Sequence, residues 1–268
     1  MASIAIDEMT DLVASDEERL VRQFEGRNIL VTGASSGIGL ATAQRLARDG
    51  ATLVCSARNK DQLDQVVAHL PGKGHLSLAF DAGIEEQVVA AGNTLKGANC
   101  VLHGAVMCAG RHALRPVQLS KASNFEESFA GNVLTAVLCT KMAMRFAAKD
   151  GASIIWLSSA AALIGNAGEA AYAAGKAALI AACRSFATEL APRRIRINAV
   201  APGVIETPMS AQWLCQMSPA QREAIRNRHL LGFGSAEDVA GAIAFLLSSD
   251  SRWITGSCLI VDGGLTCH

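Results

Sequence analysis

The sequence predicts a doubly wound α/β domain, a parallel sheet of about seven strands with helices on both faces. Three observations predict it. Short apolar runs rich in β-branched residues alternate with longer helical stretches along most of the chain. Those runs are continuously apolar instead of alternating with polar residues, the pattern of strands covered on both faces and hence of a parallel sheet. A glycine-rich turn also joins the first such run to the first helical stretch.

In chain order, NILVTG from Asn28 reads as the first strand and Ile38 to Asp49 as the first helix. ATLVCSA, a helix over Lys60 to Leu70, HLSLAF and a helix over Ile84 to Leu95 complete the first half. The second half continues with VLHGAVM, a long helix over Phe125 to Ala148, SIIWLSS, and a helix over Ala171 to Leu190. RIRINAV, a helix over Glu237 to Leu247 and SCLIVDGG close the pattern. Trp156 falls inside a strand run and reads as core.

Two segments stand outside the rhythm. Residues 1–25 precede the first strand and form an N-terminal extension to a domain over 26–268. Ser15 and Glu18 there have capping-box spacing for a short amphipathic helix, assigned to docking or assembly, with disorder as the alternative. The stretch over about 208–232 follows the sixth strand and carries Met209, Trp213, Leu214, Met217 and Leu231. An insertion at the carboxyl ends of the strands is a candidate lid.

Composition narrows the classes of partner. Half of the residues are apolar, enough to bury a core without staples. Lysine plus arginine balance aspartate plus glutamate at 24 each, so no net field attracts nucleic acid or an anionic membrane. No run approaches the roughly 18 apolar residues of a membrane span. The start of the chain has acids where a signal peptide has bases. The eight cysteines form no CxxC pair and the six histidines show no ligand spacing, so a reducing, cytoplasmic protein without a metal is expected. A small-molecule partner follows.

The turn VTGASSGIG places Gly33, Gly37 and Gly39 between strand and helix. Glycine permits a close backbone approach to a pyrophosphate, and the helix N-terminus supplies free amides and a favourable dipole. An acid about 20 positions on would bond both ribose hydroxyls of NAD, yet the second strand ends in Ala57 and Arg58. Without that carboxylate a 2'-phosphate meets no repulsion, and Arg58 can pair with it, which favours NADP(H) over NAD(H). A solvated arginine stacking on adenine is the competing role. Asp81, after the third strand, is placed to accept from the adenine amino group or to cap its own turn.

The strongest cluster is YxxxK at Tyr172 and Lys176, with Ser158 and Ser159 ending the fifth strand. Four residues apart on a helix, Tyr172 and Lys176 share a face. A lysine charge about 4 Å away, at an effective dielectric near 20, contributes about 4 kcal/mol, so the phenol is expected to titrate nearer neutral pH. Successive strand residues point oppositely, so only one of the two serines faces the site.

These motifs, in this order, resemble the short-chain dehydrogenase/reductase (SDR) family. TGxxxGxG spans Thr32 to Gly39, Asn132 lies in a preceding helix, and NAVAPGVIETPM and ITGSCLIVDGG complete a likeness over Phe24 to Gly264. The resemblance implies a single Rossmann-like domain and a catalytic set of Asn132, Ser159, Tyr172 and Lys176. Tyr172 would be the general acid/base, Ser159 would bond the substrate oxygen, Lys176 would also hold the nicotinamide ribose, and Asn132 would hold a proton-relaying water. For the dinucleotide it implies Gly33, Ser35, Ser36, Gly37, Ile38 and Gly39 on the phosphates, with Arg58, Asp81 and Ala82 at the adenosine end. It further implies Ala109, Gly110, Tyr172, Lys176, Pro202, Gly203, Ile205 and Thr207 toward the nicotinamide. Asn198 is assigned to sheet support. One departure stands in MCAG: Cys108 occupies a position where the family commonly has asparagine, and altered packing is expected there.

The expected activity is hydride transfer between NADP(H) and a carbonyl or secondary alcohol, with reduction of a 3-oxoacyl thioester or another ketone among the possibilities. Arg222, Arg226, Arg228 and His229 in the lid would meet an anionic substrate or simply be solvated. The alternative is a non-catalytic nucleotide-binding regulator or scaffold on the same fold, which would be expected to have lost the catalytic set. The resemblance also implies a homotetramer or homodimer.

Overall fold

The computed structural model of the chain describes residues 23–267. The helix considered around Ser15 lies outside the described residues. Phe24 is already buried in the core, its N–H donating to the Asp49 carbonyl at 2.8 Å.

Seven strands form one parallel sheet in the order β3-β2-β1-β4-β5-β6-β7. They are β1 (Asn28–Thr32), β2 (Thr52–Ala57), β3 (Leu76–Ala79), β4 (Gly104–Met107), β5 (Ala152–Leu157), β6 (Ile195–Pro202) and β7 (Cys258–Val261). The order reverses between β1 and β4, where Ile29 pairs with Gly104 and Thr32 with Met107. That switch point opens a crevice at the carboxyl ends of the strands.

Successive residues of a strand feed opposite faces. Leu30, Ile154 and Trp156 enter one core with α3 (Glu85–Gly97), α5 (Thr135–Arg145) and α6 (Ala170–Leu190). Ile29, Val31 and Ile155 enter the other with α1 (Gly37–Arg48), α2 (Lys60–Ala68) and α9 (Ala236–Leu247). Each such buried aliphatic side chain contributes about 1.5–3 kcal/mol of burial free energy. Trp156 is fully buried and its indole N–H donates to Thr140 Oγ1 at 2.9 Å. Asn198 ties β6 to the approach of β7: its amide donates to the Ile254 carbonyl at 2.9 Å and accepts from Ser257 N at 3.1 Å.

The long helix expected over Phe125 to Ala148 begins earlier and is not uniform. It starts as α4 (Ala122–Phe129), widens to a π-helix over Ala130–Leu134, and continues as α5. A π segment inserts one extra residue into the helical ladder and is common at functional sites. Here it contains Asn132. The segment after β6 folds as α7 (Pro208–Leu214) and α8 (Pro219–Asn227), each opened by a capping box at Thr207 or Ser218.

Candidate active site

The glycine turn after β1 folds tightly back on itself. Gly33 has φ +68, and a Cβ on Gly39 would stand 2.2 Å from the Gly33 carbonyl oxygen, so only glycine fits the crossing. Ser36, at the N-cap of α1, makes no side-chain cap bond, leaving the first-turn amides of α1 facing the crevice. Gln62 of α2 braces the turn by donating to the Ser35 carbonyl at 3.1 Å. This backbone cradle at a helix N-terminus fits a dinucleotide pyrophosphate.

Arg58 is exposed just beyond β2 and enters no hydrogen bond or ion pair among the described residues. Asp81 caps its own turn: its Oδ1 accepts from Gly83 N at 2.9 Å, so one of its two carboxylate oxygens is already used. Ala82 beside it is buried. At the switch point Ala109 N donates to Thr32 Oγ1 at 3.2 Å, which holds the end of β4 against β1.

Ser159, Tyr172, Lys176 and Asn132 line one cavity of 140 Å³, together with Ile38, Gly110, Pro202, Gly203, Ile205 and Thr207. Both serines line the cavity; Ser158 donates to the Lys176 carbonyl at 2.8 Å, whereas the Ser159 hydroxyl accepts from Ala161 N at 3.2 Å and lies near the Tyr172 phenol. Asn132, 1% exposed, is locked by three bonds: it accepts from Arg111 N and donates to the Arg111 and Ser128 carbonyls, at 3.1, 3.1 and 2.9 Å. Its amide therefore holds the loop after β4 against the helix.

The expected activation of Tyr172 by Lys176 is corrected. Burial is the largest influence on Tyr172 and pushes it up to about 12, opposed by the nearby Ser159 hydroxyl, while the Glu169 charge adds to the rise. Lys176 is itself 5% exposed, and burial brings it down to about 8. Its Nζ donates to the Leu157 carbonyl at 2.7 Å and stands 5.7 Å from the centre of the Tyr172 ring. Sharing a helix face brought the residues near each other, but desolvation weakens both charges and the ammonium points to a backbone oxygen instead of the phenol.

Cys108 is pushed up to about 12, mainly by burial. Its neighbours include Lys176 and the buried Thr42 hydroxyl, which has no well-formed hydrogen bond among the described residues. A thiol is a weak partner for that hydroxyl.

The four basic side chains of the segment after β6 separate by position. His229 is 3% exposed, accepts from Val204 N at 3.1 Å and bonds the Ile225 carbonyl at 2.9 Å, so it is a structural link. Arg226 lies over Phe233 at 5.9 Å. Of the four, Arg228 reaches the cavity's edge, donating to Asn166 Oδ1 at 3.1 Å.

Sequence reasoning missed His112, Asn166 and Glu169. Glu169 lies three residues before Tyr172, on the same helical face, a spacing that would have signalled it. His112 comes from 57 residues earlier, and its Nε2 stands 2.9 Å from Glu169 Oε1. A larger cleft of 700 Å³ is lined by Phe24, His103, Arg194 and Trp253. It contains none of the catalytic set, so its size says nothing about the chemistry.

A family model described as enoyl-(acyl carrier protein) reductase matches residues 33–266. Carbonyl reductase family member 4 of Danio rerio is 37% identical over 239 residues, covering 89% of this chain and 98% of that protein. The chain belongs to the SDR family. Glucose 1-dehydrogenase of Gluconobacter oxydans is also 37% identical, over 92% of this chain and 94% of that protein. A solved structure of a short chain dehydrogenase/reductase family protein superposes with a TM-score of 0.79 at 29% identity, covering 92% of this chain and all of that one. As an SDR member the chain is an oxidoreductase of CH–OH and C=O groups in small molecules, and the family implies a nicotinamide cofactor. Among the described residues no helix is long and apolar enough to cross a membrane, and no group of three His, Cys, Asp or Glu is placed to hold a metal.

Proposed function

We propose that this chain reduces a ketone to a secondary alcohol with a preference for NADPH, using Asn132, Ser159, Tyr172 and Lys176. The observation that carries the reading is the meeting of Ser159, Tyr172 and Lys176 in one cavity beside the glycine cradle, with the phenol held protonated by burial. The dinucleotide, when bound, supplies the hydride. Gly33, Ser35, Ser36, Gly37, Ile38 and Gly39 would hold its phosphates. Arg58, Asp81 and Ala82 would face the adenosine end, and Ala109, Gly110, Pro202, Gly203, Ile205 and Thr207 the nicotinamide end.

Tyr172, with its pKa near 12, is an acid at neutral pH and donates its proton to the carbonyl oxygen. Ser159 bonds the same oxygen as charge develops on it. Lys176, near 8, exchanges a proton close to neutral pH, and because its Nζ faces the Leu157 carbonyl a relaying water would carry that proton to the phenol. Asn132 keeps the loop after β4 in register with that lysine. The segment 208–232 acts as a lid on a domain over 26–268.

All eight cysteines are free, which supports a cytoplasmic setting. Phe125, Phe129 and Leu134 on the α4–α5 helix and Ile260 on β7 are exposed apolar side chains, which supports assembly as a homotetramer or homodimer. Sedimentation measures that state. The function is tested by NADPH oxidation with a panel of ketones. Tyr172→Phe should lower turnover about 100- to 10,000-fold with the fold intact. Unchanged turnover would remove Tyr172 from the chemistry.

A further inference from the structure

The cavity wall beside Tyr172 carries a polar pair that proton and hydride transfer do not use. His112 and Glu169 are nearly buried, their side chains 11% and 13% exposed, and both line the cavity. The imidazole packs edge-on against the Tyr172 ring at 4.6 Å and lies 5.9 Å from the Trp213 ring of α7. Glu169 is held from its other side by Asn166 Nδ2 at 2.8 Å, and Asn166 in turn accepts from Arg228 at 3.1 Å. A chain of four side chains thus fixes one ring next to the reacting centre.

The chemistry of that ring follows from its partner. Burial raises Glu169, but the bonds from His112 and Asn166 outweigh it and keep the carboxyl below its usual range, hence charged. A carboxylate at Nε2 requires a proton on that nitrogen, so the remaining lone pair of an imidazole in this tautomer is on Nδ1. Nδ1 has no partner among the described residues, while the ring lines the cavity. A lone pair with a carboxylate behind it takes a hydrogen-bond donor.

We propose that His112, backed by Glu169, is a specificity-determining residue that accepts a hydrogen bond from a hydroxyl next to the reacting carbonyl, so that the substrate class is the hydroxyketone or its diol. The proposal rests on reading this cavity as the substrate site. It deepens that reading by selecting against simple ketones. Trp213 and the imidazole supply an apolar face for the carbon skeleton. Arg111, on the loop that carries His112, also lines the cavity.

The test compares cyclohexanone, 2-hydroxycyclohexanone and 2-methoxycyclohexanone, the last matching the second in shape at the carbon skeleton but lacking the donor. Both kcat/KM with NADPH and binding by quenching of tryptophan fluorescence are measured on the full chain. The hydroxyketone should exceed both others about tenfold or more in kcat/KM and in affinity, the worth of one bond to a charge-backed acceptor. His112→Phe keeps a ring against Tyr172 and Trp213, and should reduce that ratio to below about threefold, chiefly through KM. A wild-type protein that turns over all three ketones without preferring the hydroxyketone overturns the inference, whether or not the variant folds. A protein that reduces none of them yet binds the hydroxyketone about tenfold tighter keeps this inference and overturns ketone reduction. Equal binding with no turnover overturns both.

Discussion

Substituting Gly110 by alanine tests the lock between the loop after β4 and the π segment. The added Cβ would stand 2.8 Å from Asn132 Oδ1 and 3.4 Å from Lys176 Nζ. An amide oxygen at a chain tip would usually swing away cheaply. Asn132 cannot, being 1% exposed and held by three hydrogen bonds. Restoring ordinary contact stretches the 3.1 Å bond from Arg111 N past hydrogen-bond range and leaves buried polar groups unpaired. At about 1–3 kcal/mol per unsatisfied group, Gly110→Ala should cost about 2–4 kcal/mol. Asn132→Ala strands the Arg111 backbone and should cost a similar about 2–4 kcal/mol. The double variant decides the cause. With no amide at 132 the methyl at 110 meets only Lys176 Nζ, at an ordinary 3.4 Å, so the pair should be no less stable than Asn132→Ala alone, within about 0.5 kcal/mol. Urea unfolding at one protein concentration, with m-values compared, measures all four proteins. Additive losses in the double variant would refute the lock.

Arg58→Ala should weaken NADPH by about ten- to a hundredfold and NADH less than threefold, because only the first loses a charge-assisted pair; equal losses in fluorescence titrations would reverse the cofactor assignment. For Lys176 the sign follows from its depressed pKa: between about 8 and its unfolded value of 10.5 the unfolded chain binds more protons, so stability rises with pH. Replacing it by methionine removes a burial cost present at pH 7. The advantage of Lys176→Met in urea should therefore shrink by about 2.5 kcal/mol between pH 7 and pH 10, and a gap independent of pH would show that the lysine is not desolvated. Trp156→Phe empties part of a fully buried site and strips Thr140 of its donor. A loss of about 2–3 kcal/mol is expected by the same assay, and a change below about 0.5 kcal/mol would mean the core refills.

Much of the fold was legible because its signals are local. Unbroken apolar runs such as Leu30 to Val31 and Ile154 to Trp156 mark strands covered on both faces, whereas the switch point between β1 and β4 came only with the sheet order. Alternation along a strand, a property of the backbone alone, set Ser158 and Ser159 apart, but the choice of Ser159 came from the family resemblance. The widening of the helix at Asn132 was not legible, because no local pattern marks one extra residue in a ladder whose apolar spacing continues on either side. Asp81 was ambiguous for a related reason: one carboxylate satisfies a turn or a ligand equally well, and only the placed Gly83 amide showed the turn claiming Oδ1.

The sequence by itself determined which residues share a helix face or a strand end, and therefore that Tyr172 and Lys176 lie near each other behind Ser159. Only the tertiary structure decided how those groups behave. Whether Lys176 lowers Tyr172 depends on desolvation and on where Nζ points, and both are set by β5 and the buried wall around Cys108. Whether His229 meets a substrate or a backbone amide depends on Val204, 25 residues away. The His112–Glu169 pair spans 57 residues and exists only once the loop after β4 is folded against the start of α6. Local spacing sets proximity along one element, whereas ionisation and partner choice depend on the dielectric and the neighbours that distant elements bring together.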